Sequence, residues 1–442
     1  MKPTENAIVD CVMNDMKPIN SRTILFHPLF RHISCLLFLL LVQLSGCANM
    51  RPLEEPTLSS ALRVPFVRVL VASDSTSIVA GADNGFAIEC IIAGEQRVYH
   101  ANQPLTITRL GRTLELYAPD RTLIQNGISV ATLIPRNNGI PLSVGTKQYR
   151  GLIQLLPTDT NLMAINLIYL EDYLKGVVPP EIGNRSADEI ESVKAQAVAA
   201  RTYALGHLQQ YPGIPYDMES SVLDQVYEGM TVEDQIASTA VAQTTGMVLL
   251  YEDEFINAYY HSTCGGNTDD IEDVWEKPAA PYLTAVGNDE ACNWSKYYNW
   301  TEVFTADTLR KRIETFLTVD PKFPVSISPI TAVNVEKRTH GGRISRLIVT
   351  TTDNRYEFEK DKIRWVFRRA NDRKMILPSS RFDVETVSTS DGTLKTITVQ
   401  GTGYGHGVGM CQCGAIGRSR QGWTFDQILR HYYRGVTVRR VF

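Results

Sequence analysis

The sequence lacks a strong charge of either sign, an internal repeat and a long internal hydrophobic run. Its 442 residues carry 44 lysines and arginines against 48 acidic residues, for a net charge of −4. No basic tail is present, so a nucleic-acid partner is not expected. Hydrophobic residues make up 43% of the chain and charged residues 21%, which is typical of a globular protein with a large core.

One apolar run stands near the N-terminus, and it is short for a transmembrane helix. Residues 33–42 follow a basic segment and lead into Leu44-Ser-Gly-Cys47, which resembles a bacterial lipobox. We expect residues 1–46 to be a lipoprotein signal peptide, Cys47 to be lipidated, and residues 47–62 to form a flexible tether. The protein would then be anchored to a membrane of the bacterial envelope, with the outer membrane expected, and would face the periplasm. An uncleaved signal anchor is the alternative.

The next hundred residues have the pattern of β-strands. Apolar residues alternate with polar ones or run together in four segments that Asn, Gly and Asp clusters separate: residues 64–72, 86–92, 113–117 and 149–156. Residues 63–166 are therefore predicted to form antiparallel sheet. Hairpin patterns also predict a β-rich subdomain over residues 321–385 and a turn at Asp391-Gly392.

The most informative stretch presents one carboxylate, Glu181, on a predicted turn between Pro179-Pro180 and Gly183. Proline fixes its own φ and restricts the preceding residue, so this turn has little backbone freedom. Apolar neighbours raise a carboxyl pKa by disfavouring the charged form, whereas the start of a following helix lowers it. The sequence leaves the balance of the two effects open. A solvated loop acid is the simpler interpretation.

A helix is predicted directly after Glu181, over residues 187–209. Ser186 and Glu189 match a capping box, and small apolar residues recur at helical spacing. Such a face lets a helix lie close to its neighbour. Lys194 and Arg201 lie two turns apart on another side. Apolar periodicity and capping signals predict two more helices, over residues 232–245 and 424–435.

Two further stretches combine histidine with glycine. Tyr260-His-Ser-Thr-Cys-Gly-Gly266 follows a predicted strand and precedes an acidic cluster. Gly403-Tyr-Gly-His-Gly-Val-Gly-Met410 lacks the Gly-Lys-Ser/Thr of a phosphate-binding loop, so a nucleotide site is not indicated. Its glycines instead permit an unusual backbone path that carries His406 into a cleft beside the next helix. A structural role for each histidine is the alternative.

These stretches resemble the SpoIID/LytB family. Four blocks occur in the family's order: Glu171-Asp-Tyr-Leu-Lys-Gly-Val-Val-Pro-Pro-Glu181, Lys194-Ala-Gln-Ala-Val-Ala-Ala-Arg-Thr-Tyr-Ala-Leu205 and the two histidine–glycine stretches. The resemblance covers roughly residues 63–437. It implies an α+β, β-rich SpoIID-like fold with a few helices packed around a cleft and a β-rich insertion. The implied parts are residues 63–166, a catalytic core at 167–300, the subdomain at 321–385, and the Gly/His motif with the last helix at 396–437.

The resemblance implies a lytic transglycosylase that cleaves peptidoglycan glycan strands lacking stem peptides, with Glu181 as the catalyst. One carboxyl group suffices, because the C6 hydroxyl of the muramic residue attacks and a 1,6-anhydro ring forms. Glu181 would protonate the leaving oxygen and then take the hydroxyl proton, which requires a carboxyl that is protonated near neutral pH. By analogy, substrate contacts are expected from six residues: Lys194, Arg201, His261, Ser262, His406 and Gln412.

Cysteine usage leaves two interpretations. Beyond the leader and Cys47, an odd number of cysteines remains, so they cannot all pair internally: Cys90, Cys264, Cys292, Cys411 and Cys413. A disulfide between Cys264 and Cys292 is preferred. The rival is a structural zinc held by His261, Cys264 and Cys292, since some family members carry zinc near the equivalent histidine. The chemistry itself requires no cofactor. Cys411 and Cys413 depart from the family's usual residues, and their role is open.

Three other functions are compatible with these residues. A non-catalytic wall-binding module would stimulate an N-acetylmuramoyl-L-alanine amidase, its functional partner, without cleaving glycan. A hydrolase would need a second carboxylate, for which four acidic residues are candidates: Asp269, Asp270, Glu272 and Asp273. A polysaccharide lyase that acts on another polymer would leave unsaturated products.

Overall fold

The structure, a computed structural model, describes residues 65–442 except residues 138, 209–212, 222–223, 288 and 391. The predicted signal peptide, Cys47 and the tether lie outside the described residues. No helix within the described range is long and apolar enough to cross a membrane. Strand residues exceed helical ones, 37% against 24%, which confirms the predicted α+β, β-rich class.

A large curled sheet occupies the first part of the described chain. Alternating residues of its strands are buried, as Phe86, Ile88 and Cys90 are in β3, so the period-2 pattern of the sequence faces a core. Its twelve described strands are β1 (Phe66–Ser75), β2 (Ser77–Gly81), β3 (Phe86–Ile92), β4 (Glu95–Ala101), β5 (Leu105–Leu110), β6 (Thr113–Tyr117), β7 (Leu123–Pro135), β8 (Leu142–Val144), β9 (Lys147–Tyr149), β10 (Leu152–Pro157), β11 (Leu162–Tyr169) and β12 (Met218–Glu219).

The strand order of this sheet is β12-β1-β11-β10-β7-β6-β5-β2-β8-β9, with β3 joined through β7 and carrying β4. Strand β7 pairs with β3 along one edge and with β6 and then β10 along the other. The pairing of β1 with β12 is parallel, and the other described pairings in the sheet are antiparallel, as predicted. Residues of the sheet and of the helices that follow it share one hydrophobic core.

Two helices lead out of the sheet, α1 (Leu170–Ile182) and α2 (Ile190–His207). A 3-10 turn precedes α2, and Ser186 and Glu189 form the predicted capping box there. One side of α2, including Ala197 and Ala200, packs on the core of the large sheet. Another side, including Val198, belongs to a second core. The helix therefore has two buried small-residue faces rather than the one predicted.

The remaining elements follow in chain order: α3 (Gln235–Gln243), β13 (Met247–Tyr251), β14 (Glu254–Phe255), β15 (Tyr260–His261), α4 (Ile271–Val274), β16 (Asn299–Thr305), α5 (Ala306–Leu317), β17 (Ile330–Arg338), β18 (Ile344–Thr351), β19 (Arg355–Glu359), α6 (Lys362–Phe367), β20 (Phe382–Ser388), β21 (Leu394–Thr402), β22 (Met410–Cys411), α7 (Gln412–Arg420), α8 (Phe425–Tyr432) and β23 (Thr437–Arg440). The helices predicted at residues 232–245 and 424–435 are confirmed as α3 and α8. A capping box of Thr424 and Gln427 starts α8, as its sequence indicates.

A third core belongs to the β-rich unit between β16 and β21. Strands β16, β21 and β20 form one sheet, β17, β18 and β19 form another, and α5 and α6 complete the unit. The unit is larger than the predicted subdomain at 321–385, because β16 pairs with β21 along its whole length. At the predicted hairpin turn, Gly392 has a φ of 83°. Asp391 lies outside the described residues.

One buried ion pair connects this unit to the segment after β15. Arg343 and Asp269 are both almost fully buried, and Nη1 of Arg343 donates to Oδ2 of Asp269 at 2.7 Å. The backbone N–H of Gly341 donates to Oδ1 of Asp269 at 2.8 Å. Arg343 also donates to the carbonyl oxygen of Cys264 at 3.2 Å. The pair thus fixes the segment that carries Cys264 against the turn between β17 and β18.

Replacing Asp269 with Asn is expected to lower the free energy of unfolding by about 3–5 kcal/mol, because the Arg343 charge stays buried without its counter-ion. Urea unfolding followed by circular dichroism measures this loss. The matched control is Asp253→Asn, which removes an exposed pair with Arg439 and should cost at most about 1 kcal/mol. Equal losses in the two variants would contradict the structural role assigned to the buried pair.

Candidate active site

Glu181 lies in the last turn of α1 and not on the separate turn that the sequence predicts. The helix continues through Pro179 and Pro180 and ends before Gly183, whose φ is 76°. Glycine adopts this conformation readily, so it is a common residue just beyond a helix end. The rigid proline pair therefore fixes the position of Glu181 from inside the helix.

The missing N–H of Pro180 leaves the carbonyl group of Gly176 without its helical partner. That carbonyl accepts the backbone N–H of Glu228 at 3.3 Å. A side chain at Gly176 would clash with the ring of Tyr227, since its Cβ would lie 2.6 Å from Cε2. The glycine and the proline together bring the segment around residue 227 directly against α1.

Three neutral groups hydrogen-bond to the Glu181 carboxyl group. The backbone N–H of Val226 donates to Oε1 at 2.8 Å, and the side chains of Tyr260 and Gln412 also bond to the carboxyl. Tyr260 begins β15 and Gln412 begins α7. Because β15 pairs in parallel with β22, both histidine–glycine stretches reach the carboxyl group of the first block.

Residues of the second block, in α2, hydrogen-bond to the groups that contact Glu181. Nε2 of Gln412 donates to Oε1 of Gln196, in α2, at 3.3 Å. Nε2 of Gln225 donates to the Tyr260 hydroxyl at 3.1 Å and to the carbonyl oxygen of Ala200, also in α2, at 3.3 Å. Since the Tyr260 oxygen accepts from Gln225, its own proton is free to face Glu181. All four family blocks thus meet around one carboxyl group.

Burial raises the pKa of Glu181 to about 7, against a smaller lowering by its three hydrogen bonds. The C-terminal end of a helix carries partial negative charge, so the position in α1 also disfavours the carboxylate. Glu181 is only partly exposed. The site therefore holds a carboxyl group that can both give and accept a proton near neutral pH.

Arg201 and Lys194, two of the expected substrate contacts, are engaged by protein groups. Arg201 is fully buried, and its guanidinium group bonds both carboxylate oxygens of Glu171 at 2.7 Å. It also donates to the Met247 carbonyl oxygen at 3.1 Å. This pair ties α1 to α2 inside the protein, so the Arg201 side chain is not exposed for the substrate contact expected of it. Lys194 forms a 2.6 Å ion pair with Glu191.

The two motif histidines lie side by side, with ring centroids 5.4 Å apart. Nδ1 of His261 bonds to the carbonyl oxygen of Val408 at 3.1 Å. Nε2 of His406 bonds to the carbonyl oxygen of Tyr260 at 2.9 Å, and its Nδ1 accepts the N–H of Val408. Burial lowers the pKa of both rings, that of His406 to about 4, so both are neutral. Ser262 accepts the N–H of Cys413 through its carbonyl oxygen.

Three buried cysteines lie together, with their sulfur atoms within 4.8 Å of one another: Cys264, Cys292 and Cys411. We call them the thiol cluster. The preferred disulfide is not formed, since the sulfur atoms of Cys264 and Cys292 are 3.4 Å apart and a disulfide requires about 2.05 Å. His261, the predicted third ligand, is not in the cluster because its ring is held on Val408. Cys411 takes that place.

The other residues that the sequence singles out are buried in a core or bonded to protein groups. Cys90 lies in the core of the large sheet, where burial raises its pKa to about 11. The sulfur atom of Cys413 accepts the Thr263 hydroxyl at 3.3 Å. Asp269 is committed to its ion pair, and Asp270 accepts the N–H of Ala285 at 2.7 Å. These two contacts weaken the case for Asp269 or Asp270 as a second catalytic carboxylate.

Sequence reasoning missed Tyr260, Val226 and Gln225. Successive residues of a strand point to opposite sides, so Tyr260 and His261 cannot both reach the same site. The sequence favours the histidine on chemical grounds, and the structure turns the tyrosine toward Glu181. Val226 acts through its backbone, which leaves no signal in a residue pattern.

The raised pKa of Glu181 predicts a pH dependence of stability. Its folded-state pKa lies above the unfolded value, so its contribution is complete below about pH 4.5 and is lost as pH rises through about 7. Relative to Glu181→Gln, the wild type should therefore lose up to about 3 kcal/mol between pH 5 and pH 8. Urea unfolding at several pH values measures the difference. Glu254→Gln, the same change at an exposed site, is measured alongside as the control for the substitution itself. A flat difference for Glu181→Gln would overturn the assignment.

Comparison with known proteins gives two family matches. A family model described as Stage II sporulation protein, SpoIID, matches residues 158–251, which include Glu181 and all of α2. A second model, described as a domain of unknown function, matches residues 287–409. The second match contains the whole β-rich unit from β16 to β21.

Three curated relatives share this resemblance. An uncharacterized protein of Brachyspira hyodysenteriae is 30% identical over 293 residues, which cover 66% of this chain and 72% of the relative. Stage II sporulation protein D of Bacillus subtilis is 29% identical over 67% of this chain and 82% of its own length. The amidase enhancer of Bacillus subtilis is 28% identical over 60% of this chain and 40% of the relative. With the four blocks gathered at one site, these matches establish that the chain belongs to the SpoIID family.

Proposed function

We propose that the protein acts on the bacterial cell wall as a lytic transglycosylase for glycan strands without stem peptides. One observation carries the proposal: the single carboxyl group of Glu181 is partly buried among neutral donors and has its pKa raised to about 7. A proton donor with a pKa near the working pH is the most efficient general acid. The relatives named for sporulation and for amidase enhancement support a role at the cell wall.

The proposed reaction uses Glu181 twice. In its protonated form it gives a proton to the glycosidic oxygen as the bond from C1 of the muramic residue breaks. The C6 hydroxyl of the same residue then attacks C1, and the carboxylate takes its proton, which closes the 1,6-anhydro ring and restores the acid. The Val226 N–H and the Tyr260 hydroxyl stabilise the carboxylate between the two steps. The reaction requires no second carboxylate and consumes no water.

Glu181→Gln should lower kcat about 100- to 10,000-fold on denuded glycan strands, because the amide cannot transfer the proton. Binding of the strands should stay within about twofold of wild type, since Gln keeps the shape of the side chain and an oxygen that can accept the Val226 N–H. Cleavage is measured by mass spectrometry of the released products, and binding by co-sedimentation with insoluble denuded strands.

The products of the wild-type protein separate the candidate reactions. 1,6-Anhydro ends support the transglycosylase, reducing ends indicate a hydrolase, and unsaturated ends indicate a polysaccharide lyase. Full activity of Glu181→Gln would refute the catalytic role of this residue. Lys194→Gln is a companion variant that removes the ion pair with Glu191 in the second block and leaves the Glu181 carboxyl group in place.

The rate should fall as pH rises through about 7, because only the protonated form of Glu181 starts the reaction. Tyr260→Phe removes a hydrogen bond that lowers this pKa, so its kcat/KM profile should move to higher pH. The profile is measured on denuded strands between pH 5 and pH 9. If kcat/KM fell over the same pH range in wild type and in Tyr260→Phe, the loss of activity at high pH could not be assigned to Glu181.

A second function is favoured by one comparison. The relative named amidase enhancer suggests that the chain stimulates an N-acetylmuramoyl-L-alanine amidase without cleaving glycan, although the chain spans only 40% of that relative. A wild-type protein that yields no cleavage products and still raises the rate of an added amidase would support this function. Equal stimulation by Glu181→Gln would confirm that the carboxyl group is not used.

A further inference from the structure

The thiol cluster gathers three distant parts of the chain. Cys264 follows β15, Cys292 closes the 3-10 turn Glu290–Cys292, and Cys411 ends β22. Cys264 is separated from Cys292 by 28 positions and from Cys411 by 147. All three side chains are fully buried. Nothing in the proposed reaction uses them, so their meeting needs another explanation.

Backbone N–H groups point at the Cys411 sulfur atom. The N–H of Cys264 and the N–H of Gly414, in the first turn of α7, each donate to Sγ of Cys411 at 3.2 Å. Hydrogen bonds of this kind stabilise and orient thiolate ligands of metal ions, whereas a neutral thiol is only a weak acceptor.

The distances also suit a metal ion. Tetrahedral coordination with zinc–sulfur bonds of about 2.3 Å places sulfur atoms about 3.8 Å apart. The closest pair, Cys264 and Cys292, is at 3.4 Å, and all three sulfur atoms lie within 4.8 Å of one another. A carboxylate lies beside the cluster, with Oδ2 of Asp289 3.8 Å from the Cys264 sulfur, and this oxygen accepts the Tyr432 hydroxyl. Arg418 holds the other carboxylate oxygen of Asp289 at 2.9 Å.

We propose that Cys264, Cys292 and Cys411 bind one structural Zn²⁺ ion. A set of three thiolates favours zinc over the harder cations magnesium and calcium. The ion takes no part in the proposed reaction. It ties together the chain segments next to Tyr260 and Gln412, and so keeps the partners of Glu181 in place. This site differs from the ligand set that the sequence suggests, because His261 is replaced by Cys411.

The metal content of the wild-type protein tests the proposal without any assay of activity. Protein purified under reducing, anaerobic conditions should contain about one zinc ion per chain by plasma mass spectrometry. Cys411→Ser should lose nearly all of it, whereas Cys413→Ser should keep it, because Cys413 lies two residues away and outside the cluster. Circular dichroism of both variants checks that they are folded.

Cobalt gives a second readout on the wild-type protein, which does not depend on the folding of any variant. Cobalt-loaded protein should show the sulfur-to-cobalt charge-transfer band of a thiolate site, and a chelator should lower its melting temperature. A wild-type protein without metal would overturn the proposal, whether alkylation and peptide mass spectrometry find three free thiols or a Cys264–Cys292 disulfide. Equal zinc content in Cys411→Ser and Cys413→Ser would show adventitious metal only.

Discussion

The desolvation of one carboxyl group is the constraint on which the rest of this structure depends. Glu181 stands at the end of a helix, with its charged form disfavoured by burial and supported only by neutral donors. A lysine or arginine at the same distance would lower the pKa and remove the acid. Arg201, in the neighbouring helix α2, is paired with Glu171 inside the α1–α2 contact.

The surrounding fold keeps in place the groups that bury Glu181 and donate hydrogen bonds to it. The curled sheet supplies a core for α1, and the small residues of α2 let this helix lie between two cores. One side of α2 thereby brings Gln196 and the Ala200 carbonyl group to the partners of Glu181. The parallel pairing of β15 with β22 brings Tyr260 and Gln412 to the same carboxyl group. The site is thus assembled from chain segments far apart in sequence.

Local features were predictable from the sequence, and long-range ones were not. Both capping boxes, the helices α2, α3 and α8 and the antiparallel sheet follow from patterns within a few residues. The range 321–385 predicted for the β-rich subdomain leaves out β16, because this strand pairs with one almost a hundred residues later and a local pattern does not show that pairing. The four blocks identified Glu181 as the central residue. They could not show that Tyr260 rather than His261 turns toward it, or that Arg201 is buried in an ion pair.

The central claim is that the Glu181 carboxyl group is protonated near neutral pH, and infrared difference spectroscopy tests it most directly. Spectra of wild type and Glu181→Gln, compared from pH 4 to pH 9, isolate the C=O stretch of this one protonated carboxyl group. The account predicts a band that is present in the wild type only and disappears with a midpoint of about 7. A band that disappears near the ordinary value of 4.5 would contradict it.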